Sequence, residues 1–204
     1  MRKLVIFDFD GVLANTTELN YKIHKDVNGN LTWEKFQQFS EVNFFEGMGK
    51  AIKDEKYIIP PKFFEIYEKN LSLINIHDIL RDSILELRKK YRLAIVSACR
   101  SDSISNFLQK QNIRDCFDDI LGIDNHTSKV VKIKSLLEKY KVFPKDAVFV
   151  TDTLGDILEG KSCGIYSIAV TWGLHSKETL KKGAPSKIID EPSDLFGTIE
   201  NVLK

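Results

Sequence analysis

Asp8 and Asp10 stand one residue apart directly after the apolar run Leu4-Val5-Ile6-Phe7, and Gly11 follows them. Carboxylates so placed can serve as a nucleophile, as a general acid and base, or as ligands to a hard cation. Asp152 and Asp156 follow a second apolar run at 147–150, with Thr151 between the run and the first acid. Ser97 ends a third run at 93–96, and Lys129 opens a helical pattern. In open parallel sheets ligands sit beyond the carboxyl ends of the strands, so these strand-terminal residues are expected to converge. Four carboxylates brought together repel one another unless protons or a cation neutralise them, and oxygen-only ligation favours magnesium. Lys129 and that cation together would offset the charge of a phosphate dianion approaching a carboxylate.

The elements that must hold these groups are readable from periodicity. The continuous apolar runs at 4–7, 93–96, 147–150 and 167–170 predict central strands covered on both faces, and a weaker strand is expected near Ile120-Leu121. Helical spacing appears between them, through Leu80, Ile84 and Leu87, and again through Ile133, Leu136, Leu137 and Tyr140. Alternation of strand and helix predicts an α/β fold with a doubly wound, mostly parallel sheet. Between residues 15 and 78 aromatic residues are frequent and no strand pattern appears, which predicts a helical insertion lying as a cap over the carboxyl edge of the sheet. Pro60-Pro61 is expected to mark a helix start there. The core would then comprise residues 1–14 and 79–204.

The 204 residues suffice for one such domain with an insertion, and 43% hydrophobic with 29% charged residues suits an ordinary globular chain. A formal net charge of +1, spread along the sequence, gives no footprint for nucleic acid or an anionic membrane, so a small phosphorylated metabolite is the expected partner of a monomer or dimer. Cys99, Cys116 and Cys163 are odd in number and widely spaced, fitting a reducing cytoplasm better than a disulfide framework. The opening apolar run is too short for a signal peptide or a membrane span, so a cytoplasmic protein is expected.

The segment Asp8-Phe9-Asp10-Gly11-Val12-Leu13 resembles the first motif of the haloacid dehalogenase superfamily, preceding strand included. Ser97 in Ile95-Val96-Ser97-Ala98 resembles the second motif, Lys129 the third, and Thr151-Asp152-Thr153-Leu154-Gly155-Asp156 the fourth. The resemblance implies a Rossmann-like core and a magnesium-dependent phosphatase. Asp8 would attack phosphorus to form an aspartyl phosphate, and Asp10 would act as general acid and then general base. Asp8, the Asp10 carbonyl and Asp152 would hold magnesium, with Asp156 weaker or water-mediated. Ser97 and Lys129, with backbone N–H groups of residues 9–11 and of Ala98, would bind the phosphoryl oxygens. The insertion resembles the helical cap of the phosphoglycolate phosphatase and beta-phosphoglucomutase branch. Phe45-Glu46-Gly47-Met48-Gly49-Lys50 resembles that branch's specificity loop, which would bring Gly47 and Lys50 to the substrate. Thr151 stands where mutases of the branch tend to carry an acid, and this favours a phosphatase over a mutase, with a pyrophosphatase as a further alternative.

Plainer readings exist for several of these residues. Ser97 and Asp156 can each be helix caps, Lys132 or Lys134 can stand in for Lys129, and Trp172 is more economically a packing residue. A receiver-like signalling domain also gathers acids, a lysine and a hydroxyl, but here the paired acids lie on the first strand and an insertion follows. Gly155 to Ser162 satisfies the GxxxxGK[ST] pattern of a nucleotide-binding loop. Asp156 and Glu159 within it would repel phosphates, and the helix has no room to continue beyond Ser162.

Overall fold

Leu4, Val5, Ile6 and Phe7 are all fully buried, because the strand they form is covered on both faces. The computed structural model describes residues 2–55 and 57–204. In chain order its elements are β1 (Leu4–Phe7), α1 (Thr17–Val27), α2 (Trp33–Phe39), α3 (Phe44–Glu55), α4 (Phe63–Leu71), α5 (Asp78–Lys90), β2 (Arg92–Val96), α6 (Ser101–Lys110), β3 (Asp119–Leu121), α7 (Lys129–Tyr140), β4 (Ala147–Thr151), α8 (Leu154–Ser162), β5 (Tyr166–Val170), α9 (Lys177–Lys181), β6 (Lys187–Ile189) and α10 (Leu195–Val202).

Among the described residues the strands form one six-stranded sheet in the order β3-β2-β1-β4-β5-β6. Every pairing is parallel, with Leu4 opposite Arg92 on one side and Ala147 on the other. Side chains alternate across the sheet. Val5, Phe7, Ile95 and Val150 belong to the core shared with α5, α6 and α10, whereas Leu4, Ile6, Val96 and Phe149 pack with Ile133 and Leu136 of α7. This two-sided burial is why the strands read as unbroken apolar runs rather than alternating ones. The strand order reverses beside β1, so the crevice beyond β1 and β4 is the expected ligand position.

Residues 15–78 carry α1 to α4, as their aromatic, strand-free pattern predicts. Ile23 of α1 and Tyr67 and Leu71 of α4 join the main core. Phe36 and Phe39 of α2 pack with Leu31, Tyr57 and Leu174 in a cluster of their own. The helix after Pro60-Pro61 begins at Phe63, behind Lys62 in a left-handed conformation. The GxxxxGK[ST] segment is α8, which ends at Ser162 and cannot extend as a nucleotide-binding helix would. No helix among the described residues is long and apolar enough to cross a membrane.

Candidate active site

Asp8 follows β1 immediately, and its N–H still pairs with the Val150 carbonyl of β4 at 2.9 Å, so the acid sits rigidly at the sheet edge. Its Oδ1 accepts from Phe9 N–H at 2.7 Å, and its Oδ2 lies 2.7 Å from Lys129 Nζ. Lys129 reaches Asp8 from the first position of α7 and also lies 2.7 Å from Asp156 Oδ2. Thr151 Oγ1 donates to the same Asp156 oxygen at 2.7 Å. Asp156 is therefore an ion-pair partner inside the first turn of α8, and the cap of that helix is Thr153, whose side chain accepts from Asp156 N–H.

Asp152 follows β4 and lies against two glycines. A Cβ on Gly11 would stand 2.1 Å from Asp152 Oδ2, and one on Gly173 would stand 2.3 Å from the same oxygen. Gly11 also has φ +71°, a conformation that side chains disfavour. Leu174 N–H donates to Asp152 Oδ2 at 2.7 Å, while Oδ1 is buried without a hydrogen-bond partner. Asp10 is held on one oxygen: Oδ1 accepts from Thr16 Oγ1 at 2.5 Å, Asn20 Nδ2 at 3.1 Å and Tyr67 OH at 2.6 Å.

Burying three carboxylates beside one ammonium unbalances their proton affinities. Burial pushes the Asp8 carboxyl well above the usual range, with Asp156 and Asp152 adding to the effect against the pull of Lys129. Asp152 is pushed up to about 7, again chiefly by burial. Burial acts the same way on Asp156, but Lys129 and the hydrogen bonds from Asp8 and Thr151 prevail and hold it below the usual range. Burial also opposes the charge on Lys129, yet Asp156 and Asp8 together raise its affinity for the proton.

These groups open into a cavity of about 380 Å³ whose lining includes Asp8, Asp10, Ala98, Lys129, Asp152 and Asp156. Ser97, Gly11, Gly47 and Lys50 are not among the residues that line it. Ser97 is fully buried and does not line the cavity; its oxygen accepts from Cys99 N–H at 3.0 Å, and Ala98 and Cys99 form the wall. Gly11 N–H is engaged by the Ala14 carbonyl and Phe9 N–H by Asp8, so neither is offered to a phosphate as expected. Gly47 and Lys50 line a second hollow instead. The reason is helical phase: the segment expected as a loop is α3, which turns Phe44, Phe45 and Met48 to the cavity and Gly47 and Lys50 to the opposite side. Lys132 does not substitute for Lys129, since its Nζ is bonded to the Ser97 and Gly122 carbonyls. Trp172 packs, donating to the Val12 carbonyl at 3.3 Å.

The donors that hold Asp10 are only partly legible in the sequence. Thr16 stands at the N-cap of α1 and Asn20 four residues on, a spacing visible in the sequence. Tyr67 carries no such signal, because only the docking of α4 brings it to Asp10. His175 is a satisfied core residue: its Nδ1 accepts from Leu154 N–H at 2.9 Å, and its Nε2 meets the Gln37 carbonyl at 2.9 Å, joining the loop beside Asp152 to α2.

The family model described as haloacid dehalogenase-like hydrolase matches residues 5–170. The chain belongs to this family. Pyrophosphatase PpaX of Bacillus cereus is 25% identical to this hydrolase over 215 residues, covering 97% of the chain and 96% of that protein. Two solved structures share the hydrolase's fold at low identity. A hydrolase from Pseudomonas syringae superposes with a TM-score of 0.82 at 15% identity over 100% of both chains. A protein described as a predicted phosphoglycolate phosphatase from Haemophilus somnus superposes with 0.72 at 20% identity over 97% of both.

Proposed function

We propose that the protein is a phosphatase acting on a small phosphate monoester through covalent attack by Asp8. The observation that carries this reading is the buried Asp8 carboxylate at the cavity floor, fixed between Phe9 N–H and Lys129 and abutted by the acids that follow β4. Asp8 forms a bond to phosphorus as the bond to the leaving oxygen breaks, and Asp10 gives that oxygen a proton. Asp10, now ionised, takes a proton from water as the water attacks phosphorus and releases Asp8. Lys129 meets the phosphoryl oxygens, and the helices of residues 15–78 act as a cap that excludes bulk water.

The acids suit magnesium. Among the described residues no three His, Cys, Asp or Glu side chains are grouped closely enough to enclose a metal on their own. Magnesium, however, takes one or two carboxylates and keeps several waters. Asp8, Asp152 and the Asp10 carbonyl supply that kind of set, and the unpartnered Asp152 Oδ1 is an oxygen awaiting a cation. Asp156, engaged by Lys129 and Thr151, would act through water. Bound there, magnesium supplies charge that offsets the repulsion between a phosphate dianion and Asp8. The three cysteines are free and buried, which suits a cytoplasmic protein.

The test is repeated turnover of para-nitrophenyl phosphate with magnesium by the wild type, its loss with a chelator, and its abolition in Asp8→Asn. Retained activity in purified Asp8→Asn removes Asp8 as nucleophile. A single stoichiometric modification without turnover would instead favour a phosphate-accepting signalling domain.

A further inference from the structure

The cavity beside Asp8 is lined by two unlike sets of side chains. The charged ones are Asp8, Asp10, Asp152, Asp156, Glu159 and Lys129. Lys129 is already held at 2.7 Å by both Asp8 and Asp156. The second set is aromatic and apolar, with Phe44, Phe45 and Met48 from α3, Phe63 and Phe64 from α4, and Ile59, while uncharged polar side chains such as Asn20, Ser40 and Asn43 also line the cavity. Among the described residues, no lysine or arginine from residues 15–78 lines the cavity. Lys50 lies in the second hollow, and Arg100, whose guanidinium sits over the Phe64 ring, is bonded to Asp102 outside the cavity. His24 lines the wall but supplies no charge near neutrality, since burial lowers its proton affinity to about 4.

This division bears on the leaving group. Phosphoglycolate would carry a carboxylate, and pyrophosphate a second phosphate, against the aromatic set. Each would be desolvated there with no lysine or arginine of these helices to meet it, in a cavity already rich in acids. An uncharged ring faces no such cost. It removes apolar wall from water and can take the offset or edge-to-face contacts the wall already makes, as between Phe44 and Phe45 at 5.7 Å and Phe63 and Phe64 at 5.3 Å. A cavity of about 380 Å³ accommodates a small aromatic ester.

We infer that the substrate is a phosphate monoester of an uncharged alcohol bearing an aromatic ring, with the ring held by α3 and α4. This rests on the phosphatase reading and narrows it. It also departs from the pyrophosphate named for the Bacillus relative.

The test compares 2-phenylethyl phosphate with phosphoglycolate and pyrophosphate, using wild-type protein and magnesium. Phenylethanol and glycolate are both poor, alkyl-type leaving groups, so the comparison reads the wall rather than ester reactivity. The expected result is a kcat/KM for the phenylethyl ester on the order of 100-fold above phosphoglycolate, the scale of burying one ring. Met48→Lys, which places a cation in the wall, should cut the phenylethyl value about tenfold and raise the phosphoglycolate value. If phosphoglycolate or pyrophosphate turns over as well as the phenylethyl ester, in an activity that Asp8→Asn abolishes, the inference falls and the phosphatase reading stands. If the wild type hydrolyses none of the three, nor para-nitrophenyl phosphate, both fall together.

Discussion

Three donors converge on one oxygen of Asp10, and they come from different parts of the chain: Thr16 before α1, Asn20 within it, and Tyr67 on α4. Such restraint fixes the carboxyl plane while leaving Oδ2 for the proton transfer proposed above. Tyr67 is almost fully buried, and burial first, then the nearby Asp10, keeps its hydroxyl protonated and donating. Tyr67→Phe is expected to lower kcat about tenfold for alkyl phosphates, the cost of about one hydrogen bond to a charged group. The loss should be smaller for para-nitrophenyl phosphate, whose leaving group needs little protonation. Equal losses on both esters would mean that Tyr67 supports only the packing. Asp8 and Asp152 were legible because each follows an apolar strand at once, and a parallel sheet gathers such ends at one edge. Tyr67 was not, since its partner lies 57 positions away and nothing local encodes the docking. Gly47 and Lys50 lie on α3, and in a helix the phase decides which side chains face the cavity.

At the scale of elements, β1, β2, β4 and β5 were readable because two-sided burial leaves long apolar runs. β6, three residues at the sheet edge, gave no comparable run, and α9 is a short helix whose pattern is hard to tell from a turn. The contact between α8 and the helical insertion is likewise a tertiary feature. Gly155 N–H donates to the Ser40 carbonyl at 2.8 Å, and Asn43 reaches Glu159 at 3.1 Å. A Cβ on Gly155 would meet the Val42 carbonyl oxygen at 2.1 Å, so the insertion can seat on α8 only because that position lacks a side chain. Gly155→Ala is expected to destabilise the protein by about 1–3 kcal/mol, the usual range for forced overpacking, and to raise KM by loosening the cavity wall. Gly197→Ala in α10 is the control, since a Cβ there meets nothing within 4 Å and the helix gains from the lost glycine. Thermal melts and steady-state kinetics on the pair check this. A Gly155→Ala protein that melts and binds substrate like the control would show that this close approach does not hold the insertion in place.

Over the whole molecule, stability and the proposed magnesium binding would be linked through the same buried charges. Without metal, burial holds the Asp152 carboxyl at about 7, so the folded protein keeps a proton that the unfolded chain releases at the usual carboxylate value. An acid raised in this way contributes stability that is present at low pH and lost as pH climbs from about 4 toward 7. Asp8 acts in the same direction. His24 opposes them: burial lowers it to about 4, so its contribution is present above the ordinary histidine value and lost as pH falls toward 4. His175, also lowered by burial, adds to that opposition. The opposing contributions overlap, and a melt of the metal-free protein alone would not separate them. Comparing melts with and without magnesium at one pH cancels the histidines and leaves the acids, because the cation must displace the proton on Asp152. The rise in Tm at a fixed magnesium concentration is therefore expected to be small near pH 5.5 and to grow toward about pH 7.5, with affinity strengthening up to about tenfold per pH unit while Asp152 remains protonated. Calorimetry in two buffers of different ionisation enthalpy should register the released proton, and Asp152→Asn should abolish both the Tm shift and its pH dependence. A magnesium-induced shift of equal size at both pH values would mean that the cation does not compete with a proton on Asp152, and that the raised carboxyl is not where it binds.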